Sequence, residues 1–175
     1  MMERGHVLNG RDALIGEIGH MQISGCPEKL CGCGKRHCLE SAVRLDHLHQ
    51  LLMAEKASWL EQEPLTFQSL FTHSRQGDPA ARKIVEYLAR CYASALHNLS
   101  LCYNQEAVVF QGDMAWADPY FDQCLKRELN QFHYYPKGEW LTTRYDRREL
   151  STLAARGDAA LLRKKYFAAM SYEDD

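Results

Sequence analysis

The chain has 175 residues, about the length of one ordinary domain, and 46% of them are hydrophobic and 25% charged. These fractions are close to the globular average and exclude a disordered or fibrous protein. No run of about 18 apolar residues occurs, and the N-terminus lacks the basic and then apolar layout of a signal peptide. We therefore expect a soluble, cytoplasmic protein that does not contact a membrane.

The charge balance offers no general attraction for nucleic acid. Lys and Arg number 21 against 23 Asp and Glu, which gives a formal net charge of -2. A phosphate backbone would therefore need a local basic patch. The densest basic stretches, at 144–148 and 163–165, sit among acids and are typical of helix ends. The sequence predicts no direct contact between this chain and nucleic acid.

The N-terminal segment is rich in glycine and predicts a β-hairpin. The pair Asn9-Gly10 is a strong hairpin signal when strands flank it, and we expect those strands around 6–8 and 18–23. After a loop that carries several cysteines, a periodic apolar face predicts a helix from Leu39. A second short helix is expected after Pro64.

Two Asp-Pro pairs predict the starts of two further helices. Asp can cap free backbone N–H groups, and Pro at the first helical position loses no needed donor. Asp78-Pro79 opens a long helix with one buried stripe at helical spacing. The stripe consists of Ile84, Leu88, Cys91, Ala95, Leu99 and Cys102. Asp118-Pro119 opens another helix, with an apolar face formed by Phe121, Cys124, Leu125, Leu129 and Phe132.

Two short strands and a last helix complete the predicted order. Residues 107–110 predict a buried strand closed by a turn at 111–113, and residues 140–145 predict a second strand. The last helix is expected from about Arg147 to Met170, followed by an acidic tail at 171–175. This order predicts an α/β architecture whose sheet is thin and incomplete for the number of helices.

The cysteines are unevenly placed. Seven is an odd number for a disulfide framework, and four lie within thirteen residues, namely Cys26, Cys31, Cys33 and Cys38. In a cytosolic chain this crowding favours a metal over disulfides, because cytosolic thiols stay reduced and thiolates are soft ligands. The remaining three are interpreted as small core residues: Cys91, Cys102 and Cys124.

One imidazole and three thiolates have the composition of a closed tetrahedral zinc site. The set is His20, Cys31, Cys33 and Cys38. Cys31 and Cys33 can hold one ion across a tight glycine turn, while the third cysteine stands at the start of the next helix and the histidine on the preceding strand. Cys26 and His37 are competing ligands, and either could replace one of the four.

Two stretches of this region resemble a known family. Gly-Glu-x-Gly-His from Gly16, followed by Cys-x-Cys-Gly-x-x-x-Cys-x-Glu from Cys31, is similar to the signature of the ROK family, which comprises repressors, open reading frames and sugar kinases of the actin-like ATPase superfamily. The match is dense over 10–41 and weaker to about 170. It implies a partial actin-like (ribonuclease H-like) lobe over 1–170 with a zinc-binding loop.

The resemblance also implies roles for individual residues. The zinc ligands would be His20, Cys31, Cys33 and Cys38. Glu17, His20 and Glu40 would face the hydroxyls of a sugar, because two carboxylates and an imidazole supply acceptors and an adjustable donor. Zinc on one nitrogen of His20 would leave the other for the sugar. Ordinary solvated charge is the alternative interpretation of both glutamates.

The chain departs from the family pattern in several places. His37 stands where the family usually has Gly, and the loop from His20 to Cys31 is slightly long. Family kinases resemble actin in holding ATP with an Asp-Gly-Thr type loop and an Asn-Asp pair, and this sequence contains neither. After a strand, where family kinases usually have a Gly-Gly pair, this chain has Gly112-Asp113. The carboxylate would disfavour a nucleotide there, or the pair is simply a turn that closes the strand.

The sequence therefore predicts the zinc-stabilised, sugar-sensing lobe of a ROK-type transcriptional regulator, similar to N-acetylglucosamine repressors, with no catalysis by this chain. One alternative is the second lobe of an ATP-dependent sugar kinase of the glucokinase or N-acetyl-hexosamine kinase type. Another is a zinc-stabilised interaction module. We expect the first lobe and any DNA-reading domain to be absent, a sugar or amino sugar to bind weakly, and the chain to form homo-oligomers through apolar faces.

Overall fold

The computed structural model describes residues 2–3, 6–8, 10–12, 14–25, 28–132 and 141–167. Several predicted features lie outside these residues, namely Asn9, Cys26, Trp140, Met170 and the tail at 171–175. At the N-terminus β1 (Met2–Glu3) pairs antiparallel with β2 (His6–Val7), with Met2 opposite Val7. A short strand near residue 6 is thus confirmed, but it pairs with the residues before it.

The prediction of a second hairpin strand at 18–23 was wrong. Ile18–His20 form a 3-10 turn, in which the N–H of His20 donates to the carbonyl of Glu17 over 3.1 Å. Gly16, at φ 90°, gives the chain the left-handed bend that precedes this turn. Local hydrogen bonds therefore occupy groups that a strand would offer to a neighbour, and extended pairing begins at Gln22, which bridges Cys38.

The helices follow the predicted order, with one division. The segment from Leu39 forms two helices, because Arg44 between them is extended at ψ 140°. The helices of the described chain are α1 (Leu39–Val43), α2 (Leu45–Ala54), α3 (Phe67–Gln76), α4 (Pro79–Tyr103), α5 (Pro119–Leu129) and α6 (Leu150–Phe167). None of them is long and apolar enough to cross a bilayer.

The predicted helix caps are confirmed. A carboxylate oxygen of Asp78 accepts the N–H of Ala81 at 2.7 Å, and one of Asp118 accepts the N–H of Phe121 at 2.9 Å. The start of α3 uses a capping box between Thr66 and Ser69, which the sequence interpretation did not identify. These contacts set where α3, α4 and α5 begin.

The main core lies between α4 and the elements packed on it, α3 and α5. Ile84, Leu88, Cys91 and Ala95 are buried as predicted, and so is Cys124 on α5. Cys102 was wrongly assigned to the core, since it is exposed. It lies in the last turn of α4, where the stripe reaches solvent.

The second sheet has two parallel strands, β3 (Ala107–Phe110) and β4 (Thr142–Tyr145). Phe110 is buried and stacks on Tyr145 with ring centroids 5.4 Å apart, whereas Val109 is 49% exposed. The prediction of a buried strand was therefore wrong for one face of β3. The α/β class and the partial sheet are confirmed.

Candidate functional site

The cysteine loop, residues 30–38, is shaped by its own backbone. Leu30 and Arg36 form an antiparallel bridge, and the N–H of Cys31 donates to the carbonyl of Lys35 at 2.8 Å. Gly34 closes the turn at φ 83°, in the left-handed region where a side chain would be strained. The turn places the sulfurs of Cys31 and Cys33 on one side of the loop.

Cys38 joins this loop to the helical part of the protein. It is completely buried and stands at the residue before α1, bridged to Gln22. The N–H of Leu39 donates to the carbonyl of Met21 at 2.9 Å, and the carbonyl of His37 accepts the N–H of Ile23 at 3.0 Å. These bonds bring the turn that contains His20 next to the loop.

The structure brings all four predicted metal ligands together. One donor atom from each of His20, Cys31, Cys33 and Cys38 lies within 4.8 Å of the others. The Nδ1 atom of His20 is 3.5 Å from the Cys31 sulfur, and the Cys33 and Cys38 sulfurs are 3.6 Å apart. Zinc bonds of about 2.0–2.3 Å at tetrahedral angles would put ligand atoms roughly 3.5–3.8 Å apart. The donor set and these two shorter spacings therefore fit zinc.

Of the two competing ligands, His37 does not belong to the cluster that the structure describes, and Cys26 lies outside the described residues. His37 takes a left-handed conformation, with φ 63°. The position that departs from the family pattern therefore needs the backbone freedom that Gly would supply at lower cost.

The thiols differ in how readily they ionise. The pKa of Cys31 is lowered to about 7, chiefly because the backbone N–H of Cys33 donates to its sulfur. Burial, followed by the neighbouring sulfurs of Cys33 and Cys31, raises the pKa of Cys38 to about 12. Three crowded thiolates repel one another, and a divalent cation among them would remove that repulsion.

Of the three predicted ligand-binding residues, His20 belongs to this cluster, and Glu17 and Glu40 lie beside it. An oxygen of Glu40, in the first turn of α1, is 3.3 Å from Nδ1 of His20. An oxygen of Glu17 is 3.9 Å from Nε2 of the same ring. The side chains of Glu17, His20 and Glu40 are 59%, 36% and 43% exposed. They form an open surface of two acceptors around one imidazole, which is suited to hydroxyl groups.

The structure also contains a cavity next to Glu40 that the sequence did not predict. It has a volume of about 520 Å³ and reaches from Glu40 to Asp113. Its walls come from α1 to α4 and from the turn after β3. The lining residues come from four separate stretches, at 40–46, 67, 92 and 111–114, and such stretches share no local pattern from which the cavity could be predicted.

These observations define the class of protein. It is an α/β lobe in which a cluster of thiols and one imidazole lies next to two carboxylates. A family model described as "ROK family" matches residues 1–165. The chain belongs to the ROK family.

Similar proteins include kinases and a regulator. An N-acetylmannosamine kinase of Yersinia pestis (strain Pestoides F) is 30% identical over 119 residues, which cover 68% of this chain and 39% of that protein. A ROK hexokinase structure from Thermus thermophilus matches with a TM-score of 0.64 and 29% identity, over 90% of this chain and 50% of that one.

A third similar structure is a ROK family transcriptional regulator, a homolog of the E. coli MLC protein. It matches with a TM-score of 0.69 and 25% identity, over 91% of this chain and 41% of that one. The chain thus spans half or less of the length of these relatives. The family is established, and kinase and regulator relatives are both similar to this chain.

Proposed function

We propose that this chain is the sugar-recognition lobe of a ROK-type transcriptional regulator in the cytoplasm, stabilised by zinc and without catalysis of its own. The observation that carries the proposal is the convergence of Glu17 and Glu40 on the imidazole of His20, beside the four-residue cluster. The ligand would be a sugar or amino sugar.

In this proposal the metal ligands are His20, Cys31, Cys33 and Cys38. Zinc would neutralise the thiolates and hold the loop in one arrangement. If Nδ1 of His20, 3.5 Å from the Cys31 sulfur, held the zinc, the proton of the neutral ring would lie on Nε2. That N–H faces Glu17 and the solvent, where it can donate to a sugar oxygen.

The two glutamates would accept hydrogen bonds from the hydroxyl groups of the sugar. Each ionised carboxylate has two oxygens that accept from hydroxyl groups and none that donates. Glu17 and Glu40 approach different nitrogens of the same ring, at 3.9 and 3.3 Å, so both carboxylates lie beside the imidazole. A ring with neighbouring hydroxyls can therefore contact both glutamates and His20 at once.

We expect the isolated chain to bind sugar weakly. The three side chains lie on an open surface, and hydroxyls that find no protein partner gain little over their contacts with water. A dissociation constant in the millimolar range, on the order of 4 kcal/mol of binding free energy, is the expected result for glucose or N-acetylglucosamine.

The alternative is the second lobe of an ATP-dependent sugar kinase, and the kinase relatives favour it. Against catalysis by this chain stands its sequence, which contains no Asp-Gly-Thr type loop and no Asn-Asp pair. Phosphoryl transfer needs a phosphate cradle, Mg²⁺ and a group that accepts the hydroxyl proton. The resemblance puts Gly112-Asp113 where family kinases have a Gly-Gly pair beside the nucleotide, and Asp113, exposed after β3, adds a negative charge there.

Two measurements test the proposal. Saturation-transfer NMR should detect weak binding of glucose or N-acetylglucosamine that Glu40→Gln reduces, whereas the exposed Glu61→Gln should leave it unchanged. A coupled ADP-release assay with Mg²⁺-ATP and a panel of hexoses should match the background without enzyme. Sugar-dependent turnover that disappears in Glu17→Gln would contradict the proposal and support the kinase.

A further inference from the structure

The cavity beside Glu40 has the form of a second binding region. Its volume of about 520 Å³ falls within the range of roughly 300–1,000 Å³ that is typical of small-molecule sites. Gln111, Asp113 and Met114 enter it directly after β3. Ligands of open α/β sheets bind outside the carboxyl ends of the strands, which is where these three residues lie.

The cavity has an apolar floor. Phe67 and Met114 are buried, and Tyr92 is held by edge contacts with Phe110 and Phe121 at centroid distances of 5.5 and 6.0 Å. Burial, followed by the charges of neighbouring groups such as Asp113, raises the pKa of Tyr92, so its hydroxyl stays protonated. A flat ligand with one apolar face could rest on this floor.

The rim carries acceptors and little free positive charge. Glu40 and the exposed Asp113 supply carboxylates, and Gln111 supplies an amide. Of the described residues that line the cavity, Arg44 is the one cation, and its Nε donates to Asp46 at 3.1 Å. Asp46 also pairs with Lys29. The charge of Arg44 is thus largely engaged by Asp46, which also lines the cavity. A polyphosphate would meet the carboxylates of Glu40 and Asp113 as well, with no second cation among the described lining residues.

We propose that this cavity binds the second unit of a disaccharide whose first unit lies at Glu17, His20 and Glu40. Glu40 belongs to both places, because it lies 3.3 Å from His20 and also lines the cavity. A saccharide ring combines an apolar face for the floor with hydroxyls for the rim and carries no charge. The inference rests on the proposed function and adds that the ligand has two saccharide units.

The experiment compares single sugars with their dimers. Titrations of the intact chain followed by NMR would use glucose against maltose and cellobiose, and N-acetylglucosamine against its β-1,4 dimer. We expect at least one dimer to bind at least fivefold more tightly than its monomer. Asp113→Ala should abolish this preference and leave monomer binding unchanged, whereas Asp158→Ala, on the exposed α6, should keep the preference.

The outcomes separate the two proposals. Equal affinity for monomers and dimers would overturn the cavity assignment and leave the sugar proposal intact. Binding of neither would overturn both. Binding of Mg²⁺-ATP with shifts of the Met114 methyl signal would also overturn the cavity assignment, and it would favour the nucleotide alternative. Equal melting temperatures of Asp113→Ala and the parent chain would show that the substitution leaves folding intact.

Discussion

The cysteine loop and the helical core around α4 are held by different kinds of interaction. Leu30 of the loop is 61% exposed, and the small apolar cluster under the loop consists of Ile23, Leu39, Ala42, Cys91 and Ala95. The helical core is rich in aromatic rings, and Phe121 alone contacts Phe71, Phe110 and Tyr92. Apolar burial can maintain the core by itself, whereas the loop depends on hydrogen bonds and on a ligand bound by its three cysteines together with His20.

Metal removal should have the largest effect and should act on the loop. Protein purified without added zinc should contain close to one equivalent, and Cys33→Ser should lose it and melt at a lower temperature. The reason is that the free energy of binding a structural metal is part of the free energy of folding. Metal analysis and calorimetry provide the measurement.

Cys102→Ser is the matched control for that substitution, since Cys102 is exposed and lies outside the cluster. Zinc content and melting temperature should stay at the values of the parent chain. A metal-free parent protein, or Cys33→Ser with unchanged melting, would contradict the assignment of the metal centre.

Truncating a side chain in the helical core should have the next largest effect, and it should act on the free energy of unfolding. Phe121 is completely buried at the meeting point of α3, α4 and β3. Phe121→Ala should lower the free energy of unfolding by about 3–5 kcal/mol, through lost burial and the cavity that remains. Denaturant titration measures this change, and zinc content per folded molecule should be unaffected. Phe132→Ala, at a half-buried position, should cost clearly less.

Self-association should depend on a third region, α6. Leu150, Leu161 and Leu162 are 56%, 50% and 55% exposed, and such a helix offers an apolar contact to a second copy. Sedimentation velocity at micromolar concentration should detect a dimer or larger species. The double substitution Leu161→Glu with Leu162→Glu should weaken association at least tenfold, or about 1.4 kcal/mol.

The control for that experiment is Leu30→Glu, because Leu30 is also more than half exposed but belongs to the cysteine loop. Its association should match that of the parent chain. A parent chain that stays monomeric, without binding a dye for exposed apolar surface, would refute the expectation.

The smallest expected effect is a dependence of core stability on pH. Burial would raise the pKa of Asp122, but hydrogen bonds from Thr143, Lys126 and Tyr145 outweigh burial and hold this pKa below its ordinary value of 3.8. A carboxyl with a depressed pKa in the folded state stabilises the protein above pH 3.8, and this contribution is lost as the pH falls through the folded value.

Asp122→Asn should therefore cost about 1 kcal/mol at neutral pH, as expected for a lost charge-assisted hydrogen bond. The difference from the parent chain should shrink as the pH falls below about 4. Urea titrations at several pH values measure it. An equal difference at pH 3 and pH 7 would show that the charge of Asp122 does not stabilise the contact between α5 and β4.

The sequence by itself determined the features that depend on neighbours along the chain. Asp78 and Asp118 cap helices through N–H groups three residues away, so a local pattern was sufficient. Cys31, Cys33 and Cys38 likewise lie within one loop, and together with His20 they have the composition of a zinc site. The resemblance to the ROK signature added Glu17 and Glu40.

The tertiary structure decided the features that depend on contacts between residues far apart in the sequence. Whether residues near 20 form a strand depended on a competing local turn, and whether Cys102 is buried depended on where the neighbouring elements end. The exposed face of Val109 followed from the two-stranded sheet, in which nothing described covers it. The cavity beside Glu40 is formed by four stretches that are well separated in sequence, at 40–46, 67, 92 and 111–114. Periodicity reports which face of an element is apolar, but packing alone determines what that face meets.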